Sequence, residues 1–323
     1  MTAALGIDTS NYTTSAAVWQ PGCDRLTTAG RLLPVKDGAI GLQQSEAVFL
    51  HTRQLPGLVE QAVAQSAAEI SCIGVSARPR DAQDSYMPCF LVGVACAHTA
   101  SAAAGVPLFE TSHQAGHIAA ALCSAGRLDL TSQPFLAFHL SGGTTEGVLV
   151  RPDRERIFQV ELRARGLDLH AGQVVDRVGR LLGLPFPAGR ALDEMARAST
   201  CTQFLRPAMK GTDCCLSGVV NRCERLLEQG WERTDVARYC ILSIQAALVG
   251  MTEALLRICE QEGLGKPPLV YAGGVMANSI IREELSGRYG AFFARPELSS
   301  DNAAGVAVLA AMMHERGIAP CRG

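Results

Sequence analysis

The first apolar run, Leu5-Gly6-Ile7-Asp8, is short and bounded by polar residues, and it reads as a strand with a carboxylate at its end. A polar turn, Thr9-Ser10-Asn11-Tyr12-Thr13, leads to a second strand over 14–19. Between 46 and 68 the apolar positions Ala47, Leu50, Leu55, Leu58, Val59, Ala62 and Val63 recur at helical spacing, with Pro56 expected near a break. A strand over 70–76 follows, then a small-residue helix over 90–104 that Gly105-Val106-Pro107 ends. From Phe135 the pattern starts again, with an apolar strand to Leu140, the polar turn Ser141-Gly142-Gly143-Thr144-Thr145 and a return strand over 146–150. Beyond it the spacing predicts a helix over 172–182, a breaker run at 184–189 and a long amphipathic helix over 239–261. A strand at 269–272 enters a helix through Gly273-Gly274-Val275, a strand follows at 291–294, and Asp301 opens a final helix over 302–316.

Strand, Gly/Ser/Thr turn, strand thus occurs twice, at Gly6–Ser10 and at Leu140–Thr144, about half a chain apart. One such hairpin is ordinary; the pair predicts two similar α/β domains facing a shared cleft. With 323 residues, 48% apolar and 19% charged, the chain is long and apolar enough for two buried cores. The formal charge of -2 excludes an overall basic protein that holds nucleic acid by itself. An RNA substrate would need locally concentrated arginines and lysines, or partner proteins. The N-terminus lacks the pattern of a signal peptide, and no stretch of roughly 20 apolar residues is evident. A cytoplasmic protein with no membrane partner is therefore expected. The 12 cysteines include no C-x-x-C pair, which argues against a zinc ribbon. Most read as small buried hydrophobes, with a redox-sensitive thiol as the second reading of Cys214 and Cys215.

Several positions carry possible chemistry. The Ser141–Thr145 turn can direct backbone N–H groups at phosphate oxygens, or can be a tight hairpin needing positive φ at Gly142 or Gly143; its first-half copy favours phosphate. Ala272-Gly273-Gly274-Val275-Met276-Ala277-Asn278 allows close approach of a flat ligand at a helix start, or is a plain strand-to-helix turn. It does not match G-x-G-x-x-G. His113 and His117, four apart, share one face of a helix and could grip one metal ion or be ordinary helix histidines. A carboxylate from elsewhere would complete a three-ligand set. Asp176 suits a ribose hydroxyl or a solvated helix face, and Asp301 a metal or a plain N-cap. Arg78 and Arg80 could bind an anion or lie in a solvated loop.

In order along nearly the whole chain, seven short motifs resemble those of the TsaD family. They are Gly6-Ile7-Asp8-Thr9-Ser10, His113 with His117, Leu140-Ser141-Gly142-Gly143-Thr144, and Leu181-Leu182-Gly183-Leu184 followed by Phe186-Pro187-Ala188-Gly189. The others are Leu216-Ser217-Gly218, Ala272-Gly273-Gly274-Val275 with Ala277-Asn278, and Ser300-Asp301-Asn302-Ala303-Ala304. The resemblance implies two actin-like domains of the ribonuclease H-like, actin/sugar-kinase/Hsp70 (ASKHA) type around a nucleotide- and metal-binding cleft. The first would take 1–110 and 301–318, the second 135–300, with 111–134 as a metal-ligand helix and connector. It implies transfer of a threonylcarbamoyl group from threonylcarbamoyl-adenylate to N6 of adenosine 37 of tRNA. His113, His117 and Asp301 would hold one divalent metal, iron or else zinc or magnesium. Leu140, Ser141, Gly142, Gly143, Thr144, Asp176, Gly189 and Asn278 would contact ATP or the adenylate. Transient tRNA and a TsaB-like subunit are the implied partners, and no side chain is assigned as catalytic.

The sequence also departs from the family pattern. Asn11-Tyr12-Thr13 replaces acidic residues, Thr144 replaces a histidine, and Gly172-Gln173 replaces Gly-Glu. Ser112-His113-Gln114-Ala115-Gly116-His117 lacks a histidine and a glutamate of the family motif, and the 78–88 loop replaces a glycine-rich stretch. The alternative reading is therefore an altered paralogue that binds nucleotide and metal, either as a regulatory partner or as a carbamoyltransferase or ATPase with another acceptor.

Overall fold

A computed structural model gives the fold and describes residues 2–10, 12–23, 25–34, 42–66, 68–82, 84–295 and 302–321. Its first half runs β1 (Thr2–Ser10), β2 (Thr13–Gln20), β3 (Arg25–Leu32), α1 (Gln44–Ser66), β4 (Glu69–Arg78), α2 (Phe90–Ala104), β5 (Leu108–Ser112) and α3 (His113–Ser124). It continues through β6 (Phe135–Leu140), β7 (Thr145–Asp153), β8 (Ile157–Arg165), α4 (Ala171–Leu181), α5 (Gly189–Arg197), β9 (Ala208–Lys210) and β10 (Asp213–Cys215). The last elements are α6 (Ser217–Glu228), α7 (Arg233–Gln261), β11 (Leu269–Ala272), α8 (Ser279–Tyr289), β12 (Phe292–Phe293) and α9 (Asn302–Glu315). The chain separates into two compact units, Met1–Ser132 with Arg151–Val160 and Glu297–Gly323, and Gln133–Val150 with Glu161–Pro296.

The duplication read from the two turns extends to whole sheets. One sheet has the order β3-β2-β1-β4-β5, the other β8-β7-β6-β11-β12. In each, an antiparallel hairpin is followed by two strands parallel to its first member: β1/β2 then β4 and β5, and β6/β7 then β11 and β12. The expected strand–turn–strand units are the centres of these sheets. Three strands of these two sheets were not expected, and neither was the separate β9/β10 pair. β3 is a largely exposed edge strand with little alternation and β5 has only five residues, whereas β8 does alternate, with Phe158, Val160, Leu162 and Ala164 set against Gln159, Glu161, Arg163 and Arg165.

In the first unit β1 is buried on both faces. Ala3, Leu5 and Ile7 pack with Leu55, Leu58 and Ala62 of α1 and Ala97 of α2. The opposite face receives α9 at backbone distance. A Cβ on Gly6 would lie 2.1 Å from the Ala303 carbonyl oxygen, and one on Gly74 of β4 2.8 Å from that of Val306. At the α3–α9 crossing a Cβ on Gly305 would lie 1.8 Å from the Gly116 carbonyl oxygen. α1 runs unbroken through Pro56, contrary to the expected break. Pro56 and Gly57 are exposed while the buried stripe Ala47, His51, Leu55, Leu58 and Ala62 continues beneath them, so packing on that face outweighs one missing hydrogen bond on the wet face.

In the second unit α7 starts at Arg233, earlier than its apolar pattern suggested, and supplies Val236, Cys240, Ile244, Leu248, Met251 and Leu255 to the core. By length and hydropathy it could cross a membrane, which the search for a continuous apolar run did not anticipate; 61% of its apolar window is buried in the fold. The helix expected to begin at Gly273 begins at Ser279, after a short 3-10 turn over Gly274–Ala277. Asn278 ends the turn and caps the helix by accepting from Ile281 N at 3.1 Å.

The glycine contacts yield a direct test. Gly305→Ala should destabilise the protein by about 3 kcal/mol or prevent folding, because the methyl meets backbone that cannot rotate away. Gly142→Ala, whose Cβ position has nothing within 4 Å, should leave the urea midpoint unchanged. Equal midpoints for the two variants would refute the close seating of α9.

Candidate functional site

In the first unit the chemistry gathers at the end of β1. Asp8 lies on the face of Gly6, toward α9, and is fully buried. Its Oδ1 accepts from Ser10 N at 2.9 Å; its Oδ2 accepts from the Ser76 hydroxyl and pairs with His113 Nδ1 at 2.9 Å. Burial by itself would raise the Asp8 pKa. The His113 imidazole charge and the hydrogen bonds from His113, Ser76 and Ser10 outweigh it and hold the carboxyl well below the usual carboxylate range.

His113 and His117 are brought together, as their spacing predicts, with ring centroids 4.6 Å apart at the start of α3. Phe90 meets the His113 ring edge-on at 6.0 Å. Asn302, the first residue of α9, lies against the same ring. Its amide nitrogen is 3.4 Å from Asp8 Oδ2 and 3.1 Å from His113 Nε2, and it also contacts His113 Nδ1. Its buried Oδ1 has no partner among the described residues. Asp301, the expected third ligand, lies outside the described residues. Among those described, no group of three or more His, Cys, Asp or Glu side chains is placed to hold a metal ion. Nearby, buried His51 bonds Thr14 at the start of β2 at 2.8 Å, and burial lowers its pKa. Arg78 is engaged with Asp81 at 3.1 Å, and Gln114 N donates to the Pro79 carbonyl, so this loop folds onto the start of α3.

In the second unit the expected residues form a closed ring of contacts. Leu140 and the turn after it stand between two glycines. A Cβ on Gly172, at the start of α4, would lie 2.5 Å from Gly142 N, and one on Gly273 (φ 99°) 2.2 Å from the Leu140 carbonyl oxygen. Gly172 N donates to Ser141 O at 3.0 Å, and Ala171 N to Thr145 Oγ1 at 2.8 Å. The turn closes by Ser141 N donating to Thr144 O at 2.8 Å. Along α4, Asp176 Oδ1 accepts from Ala188 N at 2.9 Å, which fixes the residue before Gly189. On α5, Asp193 accepts from the Ser279 backbone and hydroxyl at 3.2 and 3.0 Å, next to Asn278. The 3-10 turn then leads back to Gly273. Asn278 Nδ2 is buried without a partner among the described residues.

Positive φ is not what Gly142 and Gly143 provide. Neither has it, and neither has any atom within 4 Å of its Cβ position; the same holds for Gly189 and Gly274. The N-termini of α4, α5 and α8 all lie on this ring, and α5 starts without a side-chain cap. The first N–H groups of α4 are taken by Thr145 and Ser141 and those of α8 by Asp193 and Asn278, which leaves the uncapped start of α5 as the helix end open to an anion. Sequence reasoning left Asp8, Asn302, Gly172 and Asp193 off the site. The signal for Asp8 was its place at the end of an apolar strand; the others depend on which helix starts meet in space.

The cysteines divide more evenly than the sequence reading held. Cys72, Cys89, Cys214, Cys223, Cys240 and Cys259 are buried, Cys23 and Cys321 are exposed, the other four are half-buried, and all are free thiols. Burial pushes the thiols of Cys72 and Cys89 up to about 11 and that of Cys214 to about 12.

The family model for tRNA N6-adenosine threonylcarbamoyltransferase (TsaD) matches residues 41–308. A tRNA N6-adenosine threonylcarbamoyltransferase of Methanopyrus kandleri is 30% identical over 286 residues, 86% of this chain and 78% of that protein. Among solved structures, HypF of T. kodakarensis aligns with a TM-score of 0.59 at 12% identity, over 98% of this chain and 48% of that one. Component A of the (R)-2-hydroxyglutaryl-CoA dehydratase of Acidaminococcus fermentans aligns with a TM-score of 0.54 at 15% identity, over 98% of this chain and 100% of that one. At these identities the structural likeness is one of fold, the actin/sugar-kinase/Hsp70 type.

The buried thiols should be inert at pH 8, where the reacting thiolate is scarce. Ellman's reagent should react first at Cys23, with Cys72, Cys89 and Cys214 labelled only on unfolding. Their folded-state pKa values lie above the ordinary 9.0, so their contribution to stability is present below pH 9 and is lost as pH rises toward 11–12. Rapid native labelling of Cys214 would instead support the redox reading.

Proposed function

The chain belongs to the TsaD family and is a tRNA-modifying transferase, and from that premise we propose that its second unit holds the nucleotide of threonylcarbamoyl-adenylate while His113 and His117, with Asp301, hold a divalent metal. The observation that carries this reading is the set of open glycines. Gly142, Gly143, Gly189 and Gly274 are glycine where neither backbone angle nor neighbouring protein atoms require it. Gly22, Gly57 and Gly287 are open in the same way elsewhere, and it is the gathering of four on one ring that close approach of a ligand to the backbone accounts for. The uncapped start of α5 on the same ring favours the anionic phosphate. Asp176, with Oδ1 engaged by Ala188, offers Oδ2 to a ribose hydroxyl, and the unpaired Nδ2 of Asn278 offers a buried donor.

The described first-unit residues supply two of the three ligands this reading needs, with Asp301 as the third. Two imidazoles share one helix turn, a buried carboxylate on Nδ1 orients the first of them, and Asn302 brings an unpaired oxygen. A divalent ion there (iron, zinc or magnesium) would supply Lewis-acid chemistry. The residues of the chain supply position and charge. The adenine N6 attacks the carbamoyl carbon, the bond from that carbon to the phosphate oxygen breaks, AMP departs and the N6 proton is released. N–H groups at the turns and helix starts stabilise charge on the departing phosphate. Transient tRNA and a TsaB-like subunit are the partners in this reading, which is cytoplasmic and involves no membrane.

The test is a transfer assay with threonylcarbamoyl-adenylate, unmodified tRNA and metal, scored by mass spectrometry of the adenosine. Wild type should form product, and chelation or His113→Ala should abolish it. Gly142→Val should lower activity on the order of 100-fold while leaving the melting temperature unchanged. Product formation that survives both chelation and Gly142→Val would refute the assignment. Donor binding without product would favour the altered paralogue.

A further inference from the structure

Phe186 is 84% exposed, the most exposed large apolar side chain among the described residues. A lone surface aromatic is unremarkable when its backbone is loose, but this one stands on a pinned loop. On the near side, Gly183 N donates to Arg180 O at 3.0 Å and Leu184 N to Gly179 O at 2.8 Å. The Arg233 guanidinium donates to Leu182 O at 2.6 Å. On the far side Ala188 is buried, held by Asp176 and set so close to α4 that a Cβ on Gly179 would lie 2.2 Å from its own Cβ. Leu184 packs on the core. Only Pro185-Phe186-Pro187 stands clear, with the ring flanked by two residues of fixed φ.

The surroundings are basic. Three exposed arginines, Arg177, Arg180 and Arg190, adjoin the loop; of the carboxylates at its two ends, Asp176 accepts from Ala188 N, Asp193 from Ser279, and Glu194 pairs with Arg190. Arg180 lies about 40° from Asp176 around α4, on the loop side, and is exposed like Arg177. The Arg190 side chain is 93% exposed; its 3.0 Å pair with Glu194 is a surface pair of little strength, readily exchanged for a phosphate. An aromatic face on a rigid mount beside arginines suits a polyanion with flat bases. A protein interface would bury a larger apolar core than one exposed ring, whereas a single ring beside arginines suits a stacked base with its phosphates.

We infer that Phe186 is a stacking platform for an unpaired base of the tRNA, with Arg177, Arg180 and Arg190 holding the adjoining phosphates. The inference rests on the tRNA substrate of the reading above and adds to it a positioning residue in the second unit. Because the loop is already ordered, stacking costs little conformational entropy, and its loss should weaken RNA binding without touching donor affinity.

The experiment measures transfer kinetics and tRNA binding for wild type, Phe186→Ala and Phe186→Trp, using an anticodon-loop RNA carrying 2-aminopurine as stacking reporter. Phe186→Ala should raise KM for tRNA by about 10-fold. Its kcat, donor KM and melting temperature should stay at wild-type values, and the 2-aminopurine quenching seen with wild type should be lost. Phe186→Trp should restore both. Arg180→Glu should raise KM for tRNA and make its salt dependence shallower. An unchanged KM and quench in Phe186→Ala would overturn the inference while leaving the transferase reading intact. A raised donor KM would place the ring on the donor, and a change in oligomeric state would place it in a protein interface; either overturns it. Wild type that binds and quenches the RNA but forms no product would defeat the transferase reading and leave the stacking role standing. Wild type that binds no tRNA defeats both.

Discussion

The backbone-to-backbone seating of α9 on β1, β4 and α3 is the contact on which the first unit depends. Gly6, Gly74, Gly116 and Gly305 remove the side chains that would hold these elements apart, and Ala303, Ala307 and Ala310 fill the remaining space. Interiors are packed too densely for the helix to move outward without losing contacts along its whole length. The start of α9 is consequently fixed against Asp8 and His113, and Asn302 reaches both. A residue nearly three hundred positions from Asp8 in the chain thus becomes its neighbour through glycines several residues away.

The same residue type works in two ways in the second unit. Gly172 and Gly273 are crowded glycines, pressed against the turn after β6 so that α4 and the 3-10 turn before α8 meet there. Gly142, Gly143, Gly189 and Gly274 are open glycines, facing space that the protein leaves unfilled. The crowded ones build the ring, and the open ones expose its backbone. The starts of α4 and α8 are bonded within the ring, α8 to the Asp193 carboxylate, and the start of α5 is left without a side-chain cap.

Asp8 shows how a buried carboxylate is kept charged. Its oxygens accept from a backbone N–H and a serine hydroxyl and pair with an imidazole, so the desolvation cost is offset at each lone pair in use. The arrangement also fixes the His113 ring. Removing the carboxylate would leave the imidazole without its orienting partner, a defect that propagates to whatever the ring binds.

Much of this was legible in the residues. The two strand–turn–strand units, the paired histidines on one helical face and the glycines of 142–143 and 273–274 are local patterns, set by periodicity and by residues with special backbone freedom. Their order along the chain also carried the family likeness. Sequence could not show that Pro56 sits on the wet face of an unbroken helix, because a proline's effect depends on which side is packed. Nor could it separate crowded from open glycines, or reveal that Asp193 and Ser279 join α5 to α8, since both depend on distances across the fold. The mount beneath Phe186 belongs to the same class: composition marks an aromatic between two prolines, and only the packing of Gly179, Ala188 and Arg233 makes it rigid. Backbone preference is written residue by residue, whereas the space beside a residue is decided by segments far away in the chain.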